Sequence, residues 1–140
     1  MSSIFTRIIN EEVPGRIFWR DKTCVAIVDI RPINRGHTLV IPIEETDQWT
    51  DLPLETVSHC LQIAYVIAQA QKALFLPERI ALLIAGFEVP HAHLHLIPAN
   101  GMEHLDFNNA NPDANDGDLD QVADLLRSSL KQSGYESVVS

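Results

Sequence analysis

Half of the chain's six histidines fall in the run Val89-Pro90-His91-Ala92-His93-Leu94-His95-Leu96-Ile97-Pro98. Side chains alternate across an extended strand, so residues two apart share a face, roughly 6.8 Å from one to the next. The spacing predicts a strand that presents His91, His93 and His95 together. Ala92, Leu94 and Leu96 make the other face wholly apolar, which lets the strand seat its back on a core and hold its front toward a ligand. Imidazoles titrate near neutrality, so such a row suits a catalytic site, with transition-metal ligation as the competing chemistry.

The elements that must position this row follow from pattern. Residues 4–9 read as a short helix or turn ahead of Pro14. Residues 17–19 and 24–28 are β-rich runs split by the polar Arg20-Asp21-Lys22-Thr23, a hairpin signal. Residues 37–42 form a third strand ended by proline, after a loop punctuated by Pro32, Asn34 and Gly36. Residues 54–76 carry a long helical pattern with two apolar stripes, one through Val57, Cys60, Leu61, Ala64 and Ala68, the other through Ile63, Val66, Ile67, Ala70 and Leu74. One stripe can cover a sheet and the other is left for a second subunit, so a homodimer is expected. The apolar run 80–85 should pair antiparallel with the histidine strand through a turn at Gly86-Phe87-Glu88. Residues 99–118 read as an irregular acidic segment. Asp118 with Gln121 resembles a capping box for a final amphipathic helix, 119–133, with Leu119, Val122, Ala123, Leu126 and Leu130 at helical spacing. The whole, 1–140, reads as one domain.

Bulk properties exclude several classes. A net charge of −9, with only ten Lys and Arg, repels nucleic-acid backbones. No apolar run approaches the roughly 18 residues of a membrane span, and the N-terminus lacks the pattern of a secretory signal, so a cytoplasmic protein is expected. Cys24 and Cys60 read as buried free thiols. Trp19 and Trp49 read as packing residues, His59 and His104 as solvated, and the acidic run Asp113 to Asp120 lacks the spacing of a calcium loop.

The His-x-His-x-His run resembles the signature of the histidine triad (HIT) family. Ile4-Phe5 before Ile8-Ile9, then Pro14, Asp29-Ile30 with Pro32, and Gly36-His37-Thr38-Leu39-Val40-Ile41-Pro42 fall in the order this family shows, so the resemblance spans residues 3–98. It implies an α+β, HIT-like fold with a five-stranded antiparallel sheet, with the sheets of two subunits joined in a dimer. It also implies a purine nucleotide conjugate as substrate, a nucleoside phosphoramidate or a dinucleoside polyphosphate, cleaved at the α-phosphate. By resemblance His93 is the nucleophile that forms a covalent nucleotidyl-histidine. His95 would polarise the phosphate or protonate the leaving group, His91 would hold the geometry, and His37 completes the set from an adjacent strand. Asp29 matches the position that accepts ribose hydroxyls, and Ile4, Phe5, Ile8, Ile27 and Ile30 match positions lining the purine pocket.

The sequence also departs from the family. Many members hold zinc near the N-terminus through two cysteines and later histidines; here those positions appear as Ser3, Thr6 and Glu45, so no structural zinc and no cofactor are expected. Phe87 and Glu88 stand ahead of the histidines where other branches carry different residues. No Lys or Arg lies between Arg79 and Arg127, which leaves Arg31 or Arg35 to meet a phosphate. Two other readings remain: a metalloprotein using His91, His93 and His95, or two of them with His37, and a nucleotide sensor with little catalysis.

Overall fold

The computed structural model describes residues 2–140. In chain order it contains α1 (Ile4–Ile9), β1 (Ile17–Arg20), β2 (Cys24–Val28), β3 (Thr38–Pro42), α2 (Leu54–Phe75), β4 (Arg79–Leu83), β5 (Leu94–Ala99) and α3 (Asp116–Gln132). All neighbouring strands are antiparallel, in the order β1-β2-β3-β5-β4, which is the expected five-stranded α+β architecture.

Alternation along the strands divides the interior in two. One face buries Phe18, Cys24, Ala26, Val28, Val40, Leu94 and Leu96 against α2 and α3. The other buries Val25, Ile27, Leu39 and Ile41 against Phe5 and Ile9 of α1. Cross-strand register places His95 opposite Leu39, on the α1 face.

The histidine strand is shorter than the spacing predicts. β5 begins at Leu94, so His91 and His93 precede it. The β3–β5 ladder stops at Val40–Leu94 because β3 ends on Pro42, which has no N–H to donate, and Pro90 limits the other side. The lost pairing is replaced: Ala92 N donates to Thr46 O at 2.7 Å. The two-residue alternation survives, with Ala92, Leu94 and Leu96 buried behind the histidines.

Two helices also differ in detail. On α2 a single buried stripe, Cys60, Ile63, Ala64, Ile67, Ala70 and Gln71, draws on both expected stripes, because the helix lies with their boundary on the sheet. Helix α3 starts at Asp116 and is capped by Asn115, whose side chain accepts from Asp118 N; Asp118 therefore sits inside the first turn, where a negative charge suits the helix dipole. Its expected apolar stripe, Leu119 to Leu130, is buried. Segment 99–118 is more ordered than its composition suggests, with short 3-10 turns at Met102–Leu105 and Phe107–Asn109.

The sheet's two edges are treated differently. The outer edge of β1 is covered by the chain's end: Val138 bridges Trp19, Arg20 N donates to Ser137 O and Val139 N donates to Phe18 O. The outer edge of β4 has no strand partner among the described residues. No helix among them is long and apolar enough to cross a membrane.

Gly36, just before His37, has φ +93°, and a Cβ there would meet the Phe75 ring at 2.7 Å. Gly36→Ala is therefore expected to cost about 1–3 kcal/mol of stability, read as a lowered urea midpoint at unchanged slope.

Candidate active site

The four histidines are fixed ring by ring from the backbone upward. His91 Nε2 donates to Pro42 O at 2.7 Å, and its Nδ1 lies 2.7 Å from Ser3 Oγ. Ser3 is the N-cap of α1, and its Oγ accepts from Thr6 N, so its hydroxyl proton is free to go to His91. His93 Nδ1 lies 2.7 Å from His91 O. A carbonyl only accepts, so the His93 proton sits on Nδ1 and the lone pair on Nε2. Ile33 N donates to His37 Nδ1 at 3.1 Å, which puts the His37 proton on Nε2, 3.0 Å from His95 Nδ1. His95 therefore carries its proton on Nε2.

The outcome is a pair of opposite groups. The rings of His93 and His95 are 4.8 Å apart, and both line a cavity of about 360 Å³ with Phe5, Asp29, Leu39, Phe107 and the loop Ala85 to Val89. Neither Nε2 has a protein partner among the described residues, and neither is sealed from the cavity. One offers a lone pair and the other a proton.

Burial sets the charge of the row. It holds His95 down to about 3 and His37 to about 4, and it lowers His93 as well, with neighbouring imidazoles adding to the effect. All three are neutral at pH 7. Burial pushes the Asp29 carboxyl up to about 6, so Asp29 is still ionised at neutral pH. Its Oδ1 accepts from Arg31 N at 2.8 Å, and its Oδ2 lies 3.4 Å from His37 Nε2.

Of the residues expected to bind nucleotide, Phe5 and Asp29 line the cavity. Ile8 and Ile27 sit behind its wall, packed with Phe5 and Leu39. Ile4 and Ile30 do not line it and are 40% and 60% exposed; Asp29 turns inward at the end of β2, so its neighbour turns outward. His37 and His91 stand behind His95 and His93 as supports. Neither Arg31 nor Arg35 lines the cavity, and Arg35 donates to Asp118 Oδ1 at 2.9 Å and Gln121 Oε1 at 2.7 Å.

Sequence reasoning missed three contributors. Phe107 stacks edge-on against His95 at 4.8 Å; an aromatic residue isolated in a polar segment was its signal. Leu39 forms cavity wall opposite His95. Gln71, fully buried on α2, donates its amide to Gly36 O and Leu96 O, tying together the residues that flank His37 and His95; its Oε1 is the one buried side-chain polar atom without a partner among the described residues.

The positions that family resemblance associates with zinc are also brought together. Thr6 Oγ1 donates to Glu45 Oε1 at 2.6 Å, Ser3 N donates to the same oxygen, and Ser3 Oγ joins His91. Two hydroxyls, a carboxylate and an already bonded imidazole do not fit a structural zinc ion, which takes thiolates and free imidazoles.

Fold and site together define an α+β protein built around a histidine row. A HIT domain model matches residues 10–102, and the chain belongs to that family. An uncharacterized HIT-like protein of Mycobacterium tuberculosis is 34% identical over 137 residues, covering 94% of this chain and 95% of that one. An adenosine 5'-monophosphoramidase of Schizosaccharomyces pombe is 32% identical over 109 residues, covering 74% and 79%. The crystal structure of a zinc-bound histidine triad family protein from Mycobacterium smegmatis superposes with a TM-score of 0.79 at 32% identity, covering 95% of this chain and 96% of that chain.

The histidine row predicts how stability depends on pH. Between pH 6.5 and about 4, unfolded histidines take up protons that folded His37 and His95 refuse, so stability falls as pH drops. Asp29 acts in the opposite sense between 3.8 and about 6, where the folded state binds the extra proton. Two histidines outweigh one carboxyl, so the melting temperature is expected to drop by several degrees from pH 7 to pH 5, with a flatter slope in His95→Asn.

Proposed function

We propose that the protein hydrolyses nucleoside phosphoramidates through a covalent nucleotidyl-His93. The observation that carries this reading is the pairing of a lone pair on His93 Nε2 with a proton on His95 Nε2, side by side on one cavity. In the first step His93 Nε2 bonds to the α-phosphorus and the P–N bond of the substrate breaks; the departing amine takes its proton from solvent. A neutral imidazole is a poor proton source, so His95 acts by donating a hydrogen bond to a phosphoryl oxygen, which offsets charge developing there. In the second step water bonds to phosphorus, the P–Nε2 bond breaks, a proton returns to solvent and nucleoside monophosphate leaves.

The cavity's charge supports an amine as leaving group. Asp29 and Glu88 line it and no Lys or Arg does among the described residues. A second nucleotide with its chain of phosphates would meet two carboxylates and no cation, whereas an amine that leaves as an ammonium meets Glu88 at the rim. Ionised Asp29 suits the ribose hydroxyls, and Phe5, Leu39 and Phe107 give a purine flat apolar contact.

Rapid quenching of the protein mixed with labelled adenosine phosphoramidate is expected to trap acid-labile label on His93. His93→Gly should lose the label and at least about 10³-fold in kcat/KM. Turnover should exceed that of diadenosine tetraphosphate and survive EDTA. Activity removed by EDTA and restored by a divalent metal would favour the metal reading instead, since Asp29, His37 and His95 bring ligand atoms within 4.8 Å of one another.

We further infer a homodimer paired along the free edge of β4, where Leu82 is 46% exposed, with Leu61 and Tyr65 of α2 adding exposed apolar surface. Sedimentation at micromolar concentration should give twice the chain mass, and Leu82→Lys should shift it toward the monomer.

A further inference from the structure

A second group of reactive side chains lies where the β1–β2 turn meets α2. Asp21 organises it. Its Oδ1 accepts from Thr23 N at 2.8 Å and Cys24 N at 2.9 Å, which folds the turn. Its Oδ2 accepts from Trp19 Nε1 at 2.9 Å, lies 2.8 Å from His59 Nε2 and accepts from Cys24 Sγ at 3.7 Å. His59 and Cys60 are adjacent on α2, and Cys60 is buried in the same cluster as Cys24. The cysteines, distant in sequence, are neighbours in space, and His59 is not the freely solvated residue the sequence suggested.

We propose that Asp21, Cys24 and His59 form a binding site for a divalent transition-metal ion of the zinc type, with Cys60 or water in the fourth position. Their ligand atoms all lie within 4.8 Å of one another, a span that small rotamer changes close onto ion–ligand bonds of about 2.0–2.3 Å. A thiolate, an imidazole and a carboxylate are a set that zinc accepts and that calcium or magnesium does not favour. The carboxylate is prepared: hydrogen bonds hold Asp21 down to about 2, ionised at any physiological pH. Cys24 is fully buried with its Sγ 3.7 Å from Asp21 Oδ2, and metal binding there would replace the thiol proton. His59 is half-buried and gives the ion a route from solvent.

This site is separate from the histidine row. Cys24 and Asp29 bracket β2, about 17 Å apart at strand rise, and Cys24 packs on the helical face whereas His95 stands on the other. A metal here would clip the first hairpin to α2.

Cobalt titration of the metal-free, phosphine-reduced full chain tests the proposal. The expected result is about one equivalent of Co²⁺ giving a near-ultraviolet thiolate-to-cobalt charge-transfer band, displaced by Zn²⁺ and at least tenfold weaker in affinity in His59→Ala. His59 is on the helix surface, so that variant decides the matter even where Cys24→Ser does not fold. The band should be intact in His95→Asn, which separates this site from the Asp29–His37–His95 group. No such band at several equivalents, with both thiols reacting as free after unfolding, would overturn the proposal and leave Asp21 as a turn cap alone. A Cys24–Cys60 disulfide that persists under reductant, or a band unchanged by His59→Ala, would overturn it too.

Discussion

The site depends on keeping several imidazoles neutral inside the protein while leaving one nitrogen of two of them unbonded. A buried imidazole without partners is costly, and one with both nitrogens satisfied is chemically idle. The structure meets this by giving each ring partners that admit a single tautomer: Pro42 O and Ser3 for His91, His91 O for His93, the Ile33 amide for His37, and the His37 ring for His95. Burial does most of the work of excluding protons, and the neighbouring rings add to it.

That arrangement explains why the surrounding elements are where they are. The β3–β5 ladder stops at Val40–Leu94, short of Pro42, which frees the Pro42 carbonyl for His91; a ladder continued to Pro42 would have consumed it. Helix α1 is only six residues long, yet its cap residue contacts the row from the far end of the sequence. Gln71 reaches through from the opposite face of the sheet to tie the residues beside His37 and His95. Support for the chemistry thus comes from both sides of the sheet, and most supporting atoms are main-chain.

Much of the fold was legible because its signals are periodic. The antiparallel strands, α2 and the buried stripe of α3 follow from alternation and 3.6-residue spacing, and the histidine motif with Gly36 to Pro42 marked the family. What escaped was whatever depends on where elements meet. Ile4 and Ile30 match pocket positions by order, but the turn after β2 aims only Asp29 inward. Arg35, offered with Arg31 for a phosphate, is paired with Asp118 and Gln121 of α3, contacts that no local pattern announces. Gln71 is invisible by pattern, since a lone glutamine among apolar helix residues reads as surface. Phe107 and the adjacency of Cys24 with Cys60 depend on tertiary contact.

The asymmetry of the sheet's borders carries a consequence for assembly. A sheet with two open margins can add copies without limit and grow into a filament. Here the segment Ser137 to Val139 occupies the margin beside β1, leaving, among the described residues, the one beside β4. Joining through a single margin is self-complementary and closes at two copies; the Ser137 to Val139 segment thus denies the β1 margin to the open-ended stacking that two free margins would allow.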